Sequence, residues 1–103
     1  MKNEKEIVRR RLRFRGTVQG VGFRWRARHA ASLAGASGWI RNNRDGSVSL
    51  ELQGTEAQIE ETLRLLRQSR YLRIDSVETR ELPLHPDERG FSVHTDDDDV
   101  FFD

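Results

Sequence analysis

The sequence predicts an α+β fold in which two helices cover one face of a mostly antiparallel sheet. Two observations support this prediction. Hydrophobic residues alternate with period two in several short segments, and two longer segments between them show the helical period instead. The resulting order, β-α-β-β-α-β with one further short strand, fits two layers packed around a single core.

The first strand and the first helix are predicted in the first third of the chain. From Val8, hydrophobic residues alternate with arginines, as expected for a strand with one buried face, and Gly16 occupies a position on that face. Helical spacing then continues through about Ala34, and Gly35 is the expected C-cap. The apolar positions of these two elements are Leu12, Phe14, Val18, Phe23, Ala27, Ala30, Ala31 and Ala34.

A hairpin and a second helix follow. Residues 38–42 have the pattern of a strand, and Asp45-Gly46 is a strong hairpin signal. Thr55 and Gln58 form a capping-box pattern that opens a helix with one apolar face. The apolar positions of the third strand and of this helix are Val48, Leu50, Leu52, Ile59, Leu63 and Leu66.

The last predicted elements are an extended segment from Ile74 to Leu82 and a short strand at Phe91 and Val93. The complete order is that of the ferredoxin-like two-layer sandwich, a fold that does not by itself fix a function. We predict one domain over residues 8–94, between a flexible N-terminus at 1–7 and an acidic, flexible tail at 95–103. The tail begins with a run of like charges, Asp96 to Asp99, which repel one another and resist burial.

Length and composition limit the chain to one small domain. It has 103 residues, 35% of them hydrophobic and 34% charged. It has no cysteine, which excludes a disulfide scaffold, a thiolate zinc site and a cysteine nucleophile. No stretch approaches the ~18 apolar residues of a membrane span, and the polar start has no apolar signal-peptide core behind it. We therefore expect a cytoplasmic protein.

The net charge of +1 hides an uneven distribution along the chain. Residues 1–50 carry 12 Lys and Arg against 3 Asp and Glu, whereas residues 51–103 carry 6 against 14. Arg11, Arg13 and Arg15 alternate with buried positions, so we expect them on a solvated sheet face that attracts anions. Charge alone leaves nucleic acid, an anionic membrane surface and a small phosphate ligand open as partners.

A candidate anion site lies in residues 16–24, where the first strand ends and the first helix begins. Glycines let the backbone approach an anion closely, and the first N–H groups of a helix lack intrahelical partners. Arg24 adds a planar cation that can hold two phosphate oxygens at once. A simple turn followed by a solvated arginine, like Arg26 and Arg28, explains the same residues, and both interpretations stay open.

Two motifs resemble the paired signature of the acylphosphatase family. Residues 18–24 read Val-Gln-Gly-Val-Gly-Phe-Arg, and residues 38–42 read Gly-Trp-Ile-Arg-Asn, followed by Asp-Gly-Ser-Val at 45–48. The resemblance covers about residues 9–94. Two motifs that agree in order and spacing are far more specific than a lone glycine motif.

The resemblance implies a ferredoxin-like enzyme that hydrolyses the carboxyl-phosphate anhydride of acyl phosphates to a carboxylate and inorganic phosphate. It also implies that Asn42 orients the attacking water, although Asn42 alone also fits ordinary turn chemistry. No metal or cofactor is expected, because three scattered histidines and no carboxylate cluster give no ligand spacing. The implied phosphate-binding residues are Gln19, Gly20, Val21, Gly22, Phe23 and Arg24.

The expected partners follow from this resemblance. They are a small-molecule acyl phosphate and inorganic phosphate as product and inhibitor, and we expect a monomer without membrane or nucleic-acid partners. An RNA-recognition module of the same fold is the first alternative, but the third strand lacks the aromatics that stack bases. The phosphate-handling domain of a hydrogenase-maturation protein is the second, but that protein is much longer and has cysteine zinc motifs.

Overall fold

The computed structural model describes residues 4–94, so residues 1–3 and the predicted tail at 95–103 lie outside the described residues. This part of the chain forms two helices and five strands. In chain order they are β1 (Ile7–Thr17), α1 (Phe23–Ala34), β2 (Ser37–Asn42), β3 (Val48–Thr55), α2 (Glu56–Leu66), β4 (Arg73–Leu82) and β5 (Phe91–Val93). Within residues 4–94, neither helix is long and apolar enough to cross a membrane.

The strands form one sheet in the order β4-β1-β3-β2-β5. β1 pairs with β3 and β4, and β2 pairs with β3, in each case antiparallel. Only β5 runs parallel to its neighbour in this sheet, which is β2. The predicted element order and the mostly antiparallel α+β sandwich are confirmed, and β5 is found at the edge next to β2.

The core lies between one face of the sheet and the two helices. Leu12 and Phe14 of β1 are buried, while Arg11, Arg13 and Arg15 are only partly buried. The period of two in the sequence therefore does mark the core face. The edge of the Phe14 ring packs against Phe23 of α1, with ring centroids 5.3 Å apart. The predicted apolar positions of both helices are buried except Ala34, which is half-buried.

The end of α1 and the start of α2 have the caps that the sequence predicts. The Gly35 backbone is left-handed at φ 83°, and its N–H donates to the Ala31 carbonyl at 2.8 Å. At the start of α2, the Thr55 hydroxyl accepts from the Gln58 N–H at 3.1 Å, and the Gln58 side chain accepts from the Thr55 N–H at 2.9 Å. The capping box is therefore complete, and it fixes the start of α2 at the end of β3.

The prediction that Gly16 lies on the buried face is wrong. Gly16 is exposed, at an irregularity in the pairing of β1 with β4, and its φ is 135°. A Cβ at this position would lie 2.2 Å from the Arg73 carbonyl oxygen. Close approach of the β4 backbone, and not core packing, therefore requires glycine here.

A buried ion-pair cluster fastens the connection between β4 and β5 to the sheet. The Arg9 guanidinium donates to both carboxylate oxygens of Glu88, at 2.8 and 3.0 Å, and lies 2.8 Å from Glu51. The Ser37 hydroxyl also donates to Glu88, at 2.8 Å. Burial alone raises the pKa of Glu88, but the hydrogen bonds from Arg9 and Ser37 outweigh it, so this pKa lies below its usual range.

We expect Glu88→Gln to lower the free energy of unfolding by about 2 kcal/mol at pH 7, because charge-assisted hydrogen bonds to Arg9 are lost. A lowered carboxyl pKa stabilises the fold above its unfolded value near 4.3, and this stabilisation disappears as the pH falls through the folded value. Urea unfolding at pH 7 and at pH 3 should therefore show a difference from the wild type that shrinks in acid. Asp87→Asn, at an exposed neighbour, is the control and should change little; an equal loss at both pH values contradicts the prediction.

Candidate active site

Two glycines shape the turn between β1 and α1. Gly20 and Gly22 are both left-handed, with φ of 75° and 77°. An added Cβ at either position would meet no atom of residues 4–94 within 4 Å, so the backbone conformation and not crowding requires glycine. The turn therefore exposes its backbone at the start of the helix.

The N-terminus of α1 has features that favour a negative charge beside it. Gly22 is its N-cap residue, and the first N–H in the helical ladder is that of Arg26, which donates to the Gly22 carbonyl at 3.0 Å. The N–H groups of Phe23, Arg24 and Trp25 precede this ladder. Among the described residues, no side chain caps this end and no acidic residue lies in the first turn. The helix dipole therefore favours an anion here.

The side chain of Gln19 joins this turn to the hairpin between β2 and β3. Its amide nitrogen donates to the carbonyl of Asn43 at 2.7 Å and to the carbonyl of Ser47 at 2.9 Å. Each carbonyl also accepts a backbone N–H within the hairpin, that of Asn43 from Gly46 and that of Ser47 from Asn43. The Gln19 side chain therefore ties the turn before α1 to a closed hairpin at the end of β2, where Asn42 lies.

A pocket of about 110 Å³ opens between the turn and the end of β2. Both Arg24 and Asn42 line it, so the two residues that the sequence singles out for chemistry share one cavity. Gly20, Gly22 and Phe23 also line it, whereas Gln19 and Val21 do not. The sequence did not single out two further lining residues, Val18 and Trp25.

Arg24 is half-buried at the side of this pocket. Its Nη1 donates to the carbonyl oxygen of His94 at 2.7 Å, just beyond the end of β5. The guanidinium is therefore oriented by the last sheet strand, through a contact between residues 70 positions apart. Every residue has a backbone carbonyl, so no pattern in the sequence identifies that of His94 as this partner.

Asn42 is the last residue of β2 and is only 7% exposed. Its Oδ1 is buried and accepts no hydrogen bond from any of residues 4–94. Buried acceptors without a partner are uncommon, and where one occurs it calls for an explanation such as a functional role. Asn42, which carries this oxygen, lines the same cavity as Arg24 and the start of α1.

Comparison with known proteins identifies the family. A model of the acylphosphatase family matches residues 10–93. An acylphosphatase of Rubrobacter xylanophilus is 35% identical over 94 residues, which are 90% of this chain and 86% of that protein. An acylphosphatase of Leuconostoc mesenteroides is 41% identical over 71 residues, 67% of this chain and 79% of that protein.

The chain belongs to the acylphosphatase family. The family, fold and enzyme class predicted from the sequence are thereby confirmed. The structure of an acylphosphatase from Coxiella burnetii superimposes with a TM-score of 0.78 at 25% identity, covering 90% of this chain and all of that one. The acylphosphatase match falls within the predicted domain of residues 8–94.

The hairpin that presents Asn42 is held by its own side chains. Asn43 donates through its amide to the hydroxyls of Ser47 and Ser49, at 3.0 and 2.8 Å. The hydroxyl and the N–H of Ser47, with a smaller effect of Arg15, lower the pKa of Asp45 to about 2. Asp45 therefore remains ionised at any pH near neutrality and keeps the turn closed.

Arg11, Arg13 and Arg15 of β1 lie on the sheet face opposite the helices, as predicted. In the sheet, Arg11 lies opposite Glu51 of β3 and Arg80 of β4, and Arg13 lies opposite Ser49 and Glu78. These side chains therefore share the face of the sheet that the helices do not cover, which we call the uncovered face. Arg11 and Arg15 have acidic neighbours, Glu51 at 3.7 Å and Glu78 at 3.6 Å. The face is therefore positive but partly neutralised, and it adds to the potential that attracts an anion.

No metal site forms in the described part of the chain. Across residues 4–94, no three His, Cys, Asp or Glu side chains come together as a ligand group. The polar groups at the pocket are instead backbone N–H donors, one guanidinium and one amide. This donor set suits an oxyanion better than a cation.

We expect Gln19→Leu to destabilise the protein by about 1 kcal/mol and to loosen the hairpin, because the carbonyls of Asn43 and Ser47 each lose one of two donors while side-chain volume is kept. Urea unfolding measures the first effect. Faster amide hydrogen exchange at residues 43–47 measures the second. Gln68→Leu replaces an exposed glutamine and serves as the control; equal exchange rates in both variants would contradict the bridging role of Gln19.

Proposed function

We propose that the chain hydrolyses acyl phosphates by direct attack of water on phosphorus, without a metal, using Arg24, Asn42 and the turn at residues 19–23. One observation supports this above all others. Asn42, whose buried amide oxygen has no hydrogen-bond partner among residues 4–94, lines a small cavity together with Arg24 and residues at an uncapped helix N-terminus. The cavity thus combines groups for a phosphoryl anion with an acceptor for water.

The start of α1 and Arg24 are proposed to hold the phosphoryl group. The N–H groups that precede the helical ladder donate to its oxygens, and the left-handed glycines let the backbone approach them closely. Arg24 contributes a permanent positive charge and a pair of parallel donors. Of the predicted binding residues, Gln19 acts through the hairpin, since its side chain donates to the carbonyls of Asn43 and Ser47.

Asn42 is proposed to orient the attacking water. Its Oδ1 accepts a hydrogen bond from the water and directs the water oxygen towards phosphorus. A neutral amide performs this task without repelling the phosphate, whereas an aspartate would add a like charge beside it. Burial of Asn42 in β2 fixes the direction of this acceptor.

The proposed reaction does not require a general acid. The bond from the water oxygen to phosphorus forms as the bond to the acyl oxygen breaks, and the electron pair leaves with the carboxylate. A carboxylate is stable as an anion near neutral pH, because its reference pKa is about 4, so no general acid has to protonate it. The transition state spreads charge over the phosphoryl oxygens, and fixed donors stabilise that charge without reorganisation.

The expected setting of this reaction is the cytoplasm, with a monomeric enzyme and a small acyl phosphate as substrate. Inorganic phosphate, the product, presents the same oxygens to the same donors and should inhibit. Membranes and nucleic acids are not expected as partners. A chain without cysteine suits a reducing compartment such as the cytoplasm.

Replacing Arg24 tests the phosphate site. We expect Arg24→Ala to reduce the rate of benzoyl phosphate hydrolysis at least ~100-fold in excess chelator, because one preorganised charge contact with the transition state is lost. Inhibition by inorganic phosphate should weaken in parallel. Arg26→Ala, an exposed arginine on the same helix, is the matched control; near-full activity of the Arg24 variant, with unchanged circular dichroism, contradicts the assignment.

Replacing Asn42 separates positioning of water from binding of phosphate. We expect Asn42→Ala to lower kcat about 100-fold or more with little change in KM, since the contact with water is not a contact with substrate. Asn42→Asp should also raise KM, because its charge repels the phosphoryl group. Steady-state kinetics of both variants decide the matter, and an alanine variant that changes KM alone would refute the water-orienting role.

A further inference from the structure

The proposed phosphate pocket is too small to enclose a whole acyl phosphate. Its volume is about 110 Å³. A pocket that encloses a complete small ligand has about 300 Å³ or more. The space therefore suits the phosphoryl group and the attacking water. An acyl phosphate joins its acyl carbon to phosphorus through a single oxygen, so the acyl group has to lie immediately outside the pocket.

Burial gives this pocket a protected side and an open side. Asn42 is 7% exposed and Trp25 is 61% exposed, and both residues line the cavity. In phosphoryl transfer, the attacking and leaving oxygens lie roughly in line on opposite sides of phosphorus. With the water held at Asn42, as proposed above, the leaving oxygen lies away from the protected side. Trp25 belongs to the side that is open to solvent, through which the acyl group has to extend.

Trp25 provides apolar surface at this open side. Of the described residues that line the pocket, Val18 and Phe23 are buried in the core, and the two glycines have no side chain. Within this described lining, Trp25 is therefore the only exposed residue with an apolar side chain. Ligand pockets are lined mainly by apolar and aromatic groups, and a few polar groups fix the orientation of the ligand. An indole beside a polar phosphate site fits this division of tasks.

A neighbouring arginine restrains the indole of Trp25. Arg28 follows three residues later on α1, so both side chains lie on the same side of the helix. The guanidinium carbon of Arg28 lies over the Trp25 ring, 5.9 Å from its centroid, which is within the range of a cation–π contact. A side chain that already has a partner loses less freedom when a ligand packs against it. The exposed ring is therefore partly preorganised for binding.

We propose that Trp25 forms an acyl subsite, in which its indole packs against a planar, apolar acyl group while the phosphoryl group occupies the pocket. This inference rests on the proposed function for the position of the phosphoryl group. Packing of two aromatic rings favours binding by roughly two- to tenfold. The contact is the same in the bound substrate and in the transition state, so it lowers KM and leaves kcat unchanged. Trp25 is then a specificity-determining residue that favours aromatic over short acyl groups.

Steady-state kinetics with benzoyl phosphate and acetyl phosphate test the subsite. In Trp25→Ala, we expect the ratio of kcat/KM for benzoyl over acetyl phosphate to fall about fivefold, through a higher KM for benzoyl phosphate. Both substrates carry the same phosphoryl group, so the ratio cancels any effect of the substitution on the phosphate site. Trp25→Phe keeps an aromatic ring and should keep most of the ratio. Leu33→Ala, which removes a similarly exposed apolar side chain of α1 outside the pocket lining, is the control.

A pair of phosphonates tests binding without hydrolysis. Phenacylphosphonate and acetonylphosphonate carry a methylene group in place of the bridging oxygen of benzoyl and acetyl phosphate. We expect calorimetric titration to show about fivefold tighter binding of phenacylphosphonate to the wild type, and about equal binding of the two compounds to Trp25→Ala. The chain has two tryptophans, and the indole N–H resonance that Trp25→Phe removes should shift more with phenacylphosphonate than with acetonylphosphonate.

The outcomes separate the subsite from the proposed function. An unchanged substrate ratio in Trp25→Ala, or an equal change in Leu33→Ala, overturns the subsite even when the wild type hydrolyses both substrates. A ratio that falls through kcat alone overturns it in favour of an effect on the reaction step. Hydrolysis of neither substrate by the wild type refutes the proposed function, while the two phosphonates still decide whether Trp25 binds the acyl group.

Discussion

The site depends on one constraint, which is that the turn before α1 has to stay against the hairpin between β2 and β3. Gln19 meets this constraint with two hydrogen bonds from a single amide to carbonyls of the hairpin. The left-handed glycines then leave the helix N-terminus open towards Asn42. Without this bridge, none of the hydrogen bonds described within residues 4–94 would join the proposed anion-binding turn to the hairpin that follows Asn42. Catalysis by positioning needs them held as one unit.

The proposed chemistry explains why so few groups are needed. The leaving group is a stable anion, so the enzyme has to bind a phosphoryl group and aim a water molecule, and little else. The pocket offers backbone donors, Arg24 and a neutral amide for these tasks. The arginines on the uncovered sheet face contribute through their field, since acidic neighbours partly neutralise them.

The short strand β5 links the site to the rest of the fold. At its start, the connection from β4 is fastened by Glu88, which the buried Arg9 holds with two hydrogen bonds. At its end, the carbonyl of His94 orients Arg24. An ion pair at one end of the sheet therefore supports a strand whose other end positions the proposed phosphate-binding arginine.

Interactions within a few residues could be predicted from the sequence alone. The capping box of Thr55 and Gln58, the Gly35 cap, the hairpin at Asp45-Gly46 and the alternation of Leu12 and Phe14 all depend on near neighbours, and the structure has each of them. The paired motif also identified the family and singled out Arg24 and Asn42, which share a pocket. Only the tertiary structure decided which distant groups meet. Gln19 bonds a carbonyl 24 residues away and Arg24 one 70 residues away, and Gly16 is required by the backbone of β4. The order and register of the strands decide which of these groups meet. Every residue has a backbone carbonyl, so the sequence does not show which carbonyl or backbone segment a distant residue will contact.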